Sequence, residues 1–387
     1  MESAATAGRQ NHPLQSLIHP LIIPVDHQLM NDEMQCAHSA MLRGFWYPAL
    51  RSDQVRGKRM RKAMLLGEPL VLGRDGQRRA WALGDNCPHR GIPLSYGYFD
   101  GDQVECKYHG WRFDARTGQC RAIPSLTPRD KLKVDRIYAR HFPCEERDGY
   151  LWVYLPDSAD RDQAPPPAPR LPVFSPKYRL TQLWSDLPTT IDHGIIGLMD
   201  PAHGPFVHQS WWWRARRSIY EKEKIFEPIP NGFRIRAHSP SANSAAYKLL
   251  GVYGQPITTT IEFVLPNMRF EQIHCGDYWF SSRATVTPVT AQQCRIDFCA
   301  AWNVFRHMPF MVSIFRVFAK MFLGQDQRTM TQQAEGLKYS PRLMLIDDAD
   351  RPAKWYFQLK EACLESKRTG QPMVHPISAP VALRWRS

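Results

Sequence analysis

From Phe45 to Tyr154 short apolar runs alternate with Gly- and Pro-marked turns, as in Pro69–Leu72, Ala80–Leu83, Trp111–Phe113 and Tyr150–Tyr154. Runs this short, bounded by turn residues, predict a small antiparallel β domain. The pattern then stops. Pro156 through Pro172 carries Pro165, Pro166, Pro167 and Pro169 among several charges. Proline cannot donate to a helix turn or a central strand, so the stretch predicts an extended linker. Beyond it the periods mix. Phe233–Arg236, Thr258–Val264 and Arg295–Phe305 read as strands, whereas Ile195–Leu198, Phe310–Phe322 and Trp355–Leu364 favour helix. No repeat of roughly 20 to 50 residues is found. The expected organisation is α+β: an arm over 1–40, a β domain over 41–155, the linker over 156–173 and a mixed domain over 174–387.

Bulk properties narrow the chemistry. Nine cysteines in 387 residues are too sparse for a disulfide scaffold, and cysteines near histidines then read as metal ligands. No run of ~18 apolar residues predicts a membrane span. The N-terminus, with Glu2, Arg9 and Pro13, lacks the shape of a signal peptide, so a cytoplasmic location is expected. A net charge of +13 suits nucleic acid, an anionic surface or an acidic protein. Its densest run, Arg56, Lys58, Arg59, Arg61 and Lys62, reads first as a solvated loop before the apolar strands of Met64 to Leu72. No nucleic-acid motif accompanies it. A small acidic electron carrier is the preferred partner for part of this charge. With no dinucleotide fingerprint or phosphate loop, NAD(P)H would act only through a separate polypeptide.

Two loops carry mixed ligands. Cys87-Pro88-His89-Arg90 and Cys106-Lys107-Tyr108-His109-Gly110-Trp111 each supply one thiolate and one imidazole. Two cysteines on one iron and two histidines on the other make a Rieske centre, with a potential in a window of about −150 to +300 mV. The zinc alternative prefers C-x₂₋₄-C paired with H-x₃₋₅-H, which neither loop offers. A second constellation is Asp200-Pro201-Ala202-His203-Gly204-Pro205-Phe206-Val207-His208. On a straight helix residues five apart point about 140° apart. Pro205 is expected to break the helix and let His208 swing back towards His203. Two His plus a carboxylate with open positions suit an oxygen-activating Fe(II). Taken alone, the pair also reads as two ordinary histidines.

Asn86-Cys87-Pro88-His89-Arg90-Gly91 with Pro93-Leu94-Ser95, then Cys106 to Phe113, Gly118 and Cys120, closely resembles the Rieske domain of the ring-hydroxylating, non-haem iron oxygenases. The segment from Asp200 to His208 resembles the D-x-x-H-x₄-H motif of the same family. The resemblance covers roughly 40 to 360 and is weakest from about 215 to 305, where the pocket is expected. It implies Cys87, His89, Cys106 and His109 as cluster ligands, with Cys120 outside the set, and His203 and His208 as iron ligands. It further implies Asp200 as a bridge to a Rieske histidine of a neighbouring subunit, and hence a homotrimer. The third iron ligand is expected to be Asp326, heading a Gln-rich helix with Gln332 and Gln333. Glu335, Asp347 and Asp348 are the fallbacks. Many relatives carry an Asn where this chain has Ile196 or Gly197, so a polar group is either missing there or supplied from elsewhere, by His193 or Asp192.

The implied fold is an N-terminal antiparallel β Rieske domain and a helix-over-antiparallel-sheet (helix-grip, START-like) catalytic domain. The implied activity is that of a terminal oxygenase fed by a ferredoxin or ferredoxin reductase. Trp211-Trp212-Trp213, Tyr247, Leu249–Leu250, Val252 and Tyr253 are pocket candidates, with core packing as the plain alternative. The substrate expectation is a bulky hydrophobic molecule, best a sterol, hydroxylated or oxidatively demethylated. An aromatic dioxygenase or O-demethylase is the rival, and an electron carrier that does no oxygen chemistry is the non-enzyme alternative. Phe310, Met311, Ile314, Phe315, Phe318 and Phe322, flanked by Arg316 and Lys320, read first as a core helix. A pocket cover or peripheral membrane contact is the second reading.

Overall fold

The computed structural model describes residues 41–157, 164–209, 219–240, 250–251, 253–339 and 342–387. The arm over 1–40 and, among the pocket candidates, Trp211 to Trp213, Tyr247, Leu249 and Val252 lie outside these residues.

The first half is built of strands β1 (Phe45–Arg51), β2 (Arg61–Leu65), β3 (Glu68–Arg74), β4 (Ala80–Gly84), β5 (Tyr98–Phe99), β6 (Gln103–Glu105), β7 (Arg112–Asp114), β8 (Cys120–Ala122), β9 (His141–Phe142), β10 (Cys144–Arg147) and β11 (Tyr150–Leu155). They form three antiparallel sheets, β1-β11-β10, β2-β3-β4-β9 and β5-β6-β7-β8. Between β10 and β11 the chain reverses on Asp148-Gly149, with φ of 50° and 77°. Two successive positive φ values are what a tight hairpin matched to the strand twist requires, hence the Asp-Gly pair. The basic run follows its plain reading: Arg56, Lys58 and Arg59 are exposed before β2 begins.

The second half is one eight-stranded antiparallel sheet, in the order β12-β18-β17-β16-β15-β14-β13-β19. Its strands are β12 (Arg179–Leu187), β13 (Glu221–Ile229), β14 (Gly232–His238), β15 (Ile257–Val264), β16 (Met268–Cys275), β17 (Tyr278–Thr290), β18 (Gln293–Trp302) and β19 (Val381–Arg386). Helices α1 (Ile191–Met199), α2 (Gly204–Val207), α3 (Met311–Leu337) and α4 (Arg351–Thr369) complete it. α1 buries Ile191, Ile195 and Met199, four residues apart, in a core shared with Trp355, Phe357 and Leu359 of α4 and Phe226, Phe233 and Phe263 of the sheet. Within that core the Asp192 carboxylate accepts from Lys360 Nζ at 2.8 Å and from the Tyr356 hydroxyl. The expected α+β architecture, a β domain followed by helices over an antiparallel sheet, is the one observed.

The proline-rich linker is extended and packed: Trp46 Nε1 donates to the Pro166 carbonyl at 2.6 Å, and Ala168 and Leu171 are buried in the core between the halves. Two expectations need correction. First, α3 is one unbroken helix of 27 residues, so Asp326 lies in its middle rather than at its head. Only single glycines interrupt the sequence, and a glycine costs about 1 kcal/mol in a helix, too little to stop one packed on a sheet. Second, the core reading of Phe310 to Phe322 holds for one side of the helix only: Val312 and Phe315 pack on the sheet, whereas Phe310 and Ile314 are exposed.

Candidate metal centres

The two cluster loops share one backbone plan. In the first, Gly91 N–H donates to the Cys87 carbonyl and Cys87 N–H to the Ile92 carbonyl, both at 2.9 Å. In the second, Gly110 N–H donates to the Cys106 carbonyl at 3.0 Å and Cys106 N–H to the Trp111 carbonyl at 2.8 Å. Each turn closes on a glycine of positive φ, 73° at Gly91 and 69° at Gly110, which a side chain would strain. The first loop follows β4 and the second joins β6 to β7, so the two lie side by side on adjoining sheets. The imidazoles of His89 and His109 then stand 4.6 Å apart, centre to centre, and His89 stacks on Trp111 at 4.5 Å.

Both thiols are buried. Burial first, and then the neighbouring Cys106 thiol, push Cys87 up to about 11, against the backbone N–H of His89. A buried thiol raised in this way becomes thiolate readily only beside a cation. His109 Nδ1 is buried and has no hydrogen-bond partner among the described residues, as a ligating nitrogen would be. The donors therefore fit a Rieske cluster. Cys120 is a buried core thiol, as expected.

At the second centre the two histidines bracket a helix instead of straddling a break. Asp200-Pro201 ends α1, and α2 opens afresh with Pro205 in its first turn, where the missing N–H costs nothing. His203 and His208 flank this single turn, and their Nε2 atoms converge to 3.1 Å. Asp326 reaches them from α3, with Oδ1 3.2 Å from His208 Nε2. The ligand atoms of His203, His208 and Asp326 all lie within 4.8 Å of one another. Behind them α1 and α3 lie close: a Cβ on Gly197 would stand 3.0 Å from Met330 Cε, a contact the flexible methionine can relieve.

The far nitrogens are also engaged. His203 Nδ1–H donates to the Asp200 carbonyl at 2.8 Å, and His208 Nδ1–H to Gln325 Oε1 at 3.0 Å. With both Nδ1 atoms acting as donors, two Nε2 lone pairs and a carboxylate face one point, which suits a divalent cation. Burial holds His203 below its ordinary value. His208 adds to this and the Asp200 and Asp326 carboxylates oppose it, so the imidazole is neutral near pH 7. The residues thus fit a mononuclear iron.

Asp200 uses one carboxylate oxygen to accept from Ala202 N–H at 2.7 Å, and the other lies 3.8 Å from His203 Nδ1. The fallback carboxylates are elsewhere: Glu335 is exposed, Asp347 pairs with Lys354, and Asp348 accepts from Arg384 N–H. The polar partner expected from His193 or Asp192 is instead Gln325, since His193 Nδ1 meets Thr190 Oγ1 and Asp192 binds Lys360. Phe322, read from the sequence as part of a core or pocket-covering helix, stacks its ring on His208, centroids 3.6 Å apart. Its signal was spacing, because Phe322 lies four residues before Asp326 and so shares its helix face. Of the pocket candidates, Leu250 and Tyr253 pack in a small core with Ile273 and Trp302.

A cluster-type β domain joined to a helix-over-sheet domain with two imidazoles and a carboxylate defines the class, and comparison agrees. Residues 45–142 match the Rieske [2Fe-2S] domain family. The chain is similar to the chloroplastic chlorophyllide a oxygenase of Chlamydomonas reinhardtii, 30% identical over 315 residues, covering 74% of this chain and 42% of that protein. It is similar to the 4beta-methylsterol monooxygenase of Methylococcus capsulatus, 31% identical over 127 residues, 33% of this chain and 34% of that protein. The fold is shared with dicamba monooxygenase bound to dicamba, at a TM-score of 0.68 and 21% identity, covering 85% of this chain and 99% of that one. The chain thus carries a Rieske [2Fe-2S] domain and is similar over most of its length to proteins named as oxygenases. It spans about half or less of the length of the first curated relatives it matches. Among the described residues no helix is long and apolar enough to cross a membrane.

Proposed function

We propose that this chain is a terminal oxygenase that takes electrons from a separate ferredoxin or reductase and hydroxylates or oxidatively demethylates a bulky hydrophobic molecule, a sterol being the specific candidate. The observation that carries the reading is the convergence of His203, His208 and Asp326 in a chain whose residues 45–142 match the Rieske domain. A pure electron carrier has no use for that triad. In this reading Cys87, His89, Cys106 and His109 hold the cluster, while His203, His208 and Asp326 hold the iron. When bound, these groups supply the electrons and the centre at which O₂ is activated.

The protein's own residues do the rest. Gln325 and the Asp200 carbonyl hold each imidazole in the tautomer that leaves Nε2 free, and Phe322 fixes the plane of His208 and keeps water from it. Asp200, a third exposed, is assigned the bridge to a Rieske histidine of the next copy in a homotrimer. The half-buried His89 and His109 suit docking of that kind. Lys62 over Tyr96, beside the cavity of about 410 Å³ lined by Ile92, Tyr96, Lys107 and Tyr108, gives an acidic carrier a basic, aromatic landing site near the cluster loops. The division of labour follows the linker, with electron relay before 156 and oxygenation after 173. The sterol assignment draws on the relative named a 4beta-methylsterol monooxygenase.

The test is a single turnover. Cluster-reduced, iron-loaded protein is mixed with sterols, tetrapyrroles or methoxybenzoates and then with O₂, and the products are identified. An oxygenated or demethylated sterol is expected. Turnover of methoxybenzoates alone would move the substrate to small aromatics. A fully loaded chain with only two irons and no product would make it a carrier.

A further inference from the structure

The first half of α3 carries an outward face that the metal site does not use. Phe310, Ile314, Val317 and Met321 are 57%, 41%, 59% and 47% exposed. They recur at intervals of four, three and four residues, so they make one stripe along the helix. Met308, in the loop before the helix, extends it. The opposite side is seated: Phe315 packs on Phe280, Phe298 and Trp302 of the sheet. The stripe is therefore not a misplaced core but a second apolar face.

Charge says what covers it. From Phe305 to Gln325 the sequence holds Arg306, Arg316 and Lys320 and no Asp or Glu. Lys320 precedes Met321 by one position and is exposed beside the stripe, whereas Arg316 turns back to Thr181 of β12. A second copy laid on this face would set cation beside cation. An anionic lipid surface accepts both the apolar stripe and its basic edge. The stripe also leads to the site, since Phe322, next to Met321, stacks on His208.

We propose that the outer face of α3 from Phe310 to Met321 lies in an anionic lipid surface, its apolar stripe at the acyl boundary and Lys320 among the headgroups. The helix rests on the surface and does not span it. This seats the metal pocket beside the lipid, so an apolar substrate arrives without crossing water. Delivery alone rests on the proposed oxygenase activity; attachment does not, and attachment is what the experiment measures.

The full, iron-loaded chain is floated with vesicles of phosphatidylcholine alone and of phosphatidylcholine mixed with phosphatidylglycerol. Wild type should float with the mixed vesicles at least about tenfold more than with phosphatidylcholine, and raised salt should weaken the capture. The double variant Val317→Asp/Met321→Asp should lose capture while its thermal unfolding and cluster spectrum stay unchanged. Lys320→Glu should weaken it by several-fold. No flotation of wild type, or equal flotation of the double variant, overturns the proposal. So does light scattering that shows the double variant dissociating an oligomer held by this face, which would assign the stripe to a second copy.

Discussion

His89 and His109 sit half-exposed on loops shaped by their own backbone, whereas His203 and His208 are drawn together from the ends of one helical turn and completed from a helix more than a hundred residues away. The first pair needs only two glycine-closed turns and a small core beneath them. The second needs the packing of α1, α3 and α4 on the sheet before any of its geometry exists. In the proposed activity an electron terminal must be reachable and an oxygen site sheltered, as the buried His208 is. The sequence distance over which each is assembled follows from that difference.

If the two centres are assembled independently, each can be removed alone. Replacing both His203 and His208 by alanine should abolish turnover and mononuclear iron while the reduced protein keeps its Rieske EPR signal. Cys106→Ser should do the reverse, losing the cluster signal while Co(II), used as a probe, still gives its bound-state spectrum in the second half. Loss of both signals in either variant would break the comparison.

Lys360→Met tests whether the second centre depends on packing elsewhere. It leaves Asp192 buried without its cation, which should cost about 3 to 5 kcal/mol in urea unfolding. Co(II) affinity should fall with it and the cluster spectrum should not. Gln325→Leu removes the acceptor on His208 Nδ1 and should weaken metal binding by about 10- to 100-fold in competition titrations, with little change in stability. Gln325→Glu should restore it.

The smallest effect belongs to the first half. Burial alone would raise the Glu68 carboxyl, but Arg43 at 2.5 Å and Arg140 at 2.6 Å hold it below its ordinary value. Its contribution is thus complete above the unfolded value of about 4.3 and lost as pH falls through the lower folded value. Glu68→Gln should cost about 1 kcal/mol near neutral pH. The gap from wild type should close as the pH drops below about 4, followed by denaturant unfolding across that range.

The same difference governs what could be read from the sequence. The cluster loops were legible because ligand, turn glycine and neighbouring strand lie within a few residues. Asp326 was reached only through the family resemblance, and its place in mid-helix was not. Gln325 and Phe322 are ordinary residues until the fold brings His208 to them. The helix over Phe310 to Leu337 was visible in part, but which side faces out was not. Apolar residues occupy both sides of its first half, and periodicity alone cannot separate a core from a second apolar face. The two histidines were paired correctly for an incorrect reason: Pro205 starts a helix there and does not break one.

One reversal of the chain joins the halves. The Asp148 carboxylate, on the tight turn before β11, accepts from Leu171 N–H at 2.7 Å and from the buried Arg283 of the large sheet at 2.9 Å. A protease nick in the proline-rich stretch would accordingly leave two fragments that copurify. A chimaera that borrows the front half of a relative would keep its register only if the acid and the arginine are transplanted together.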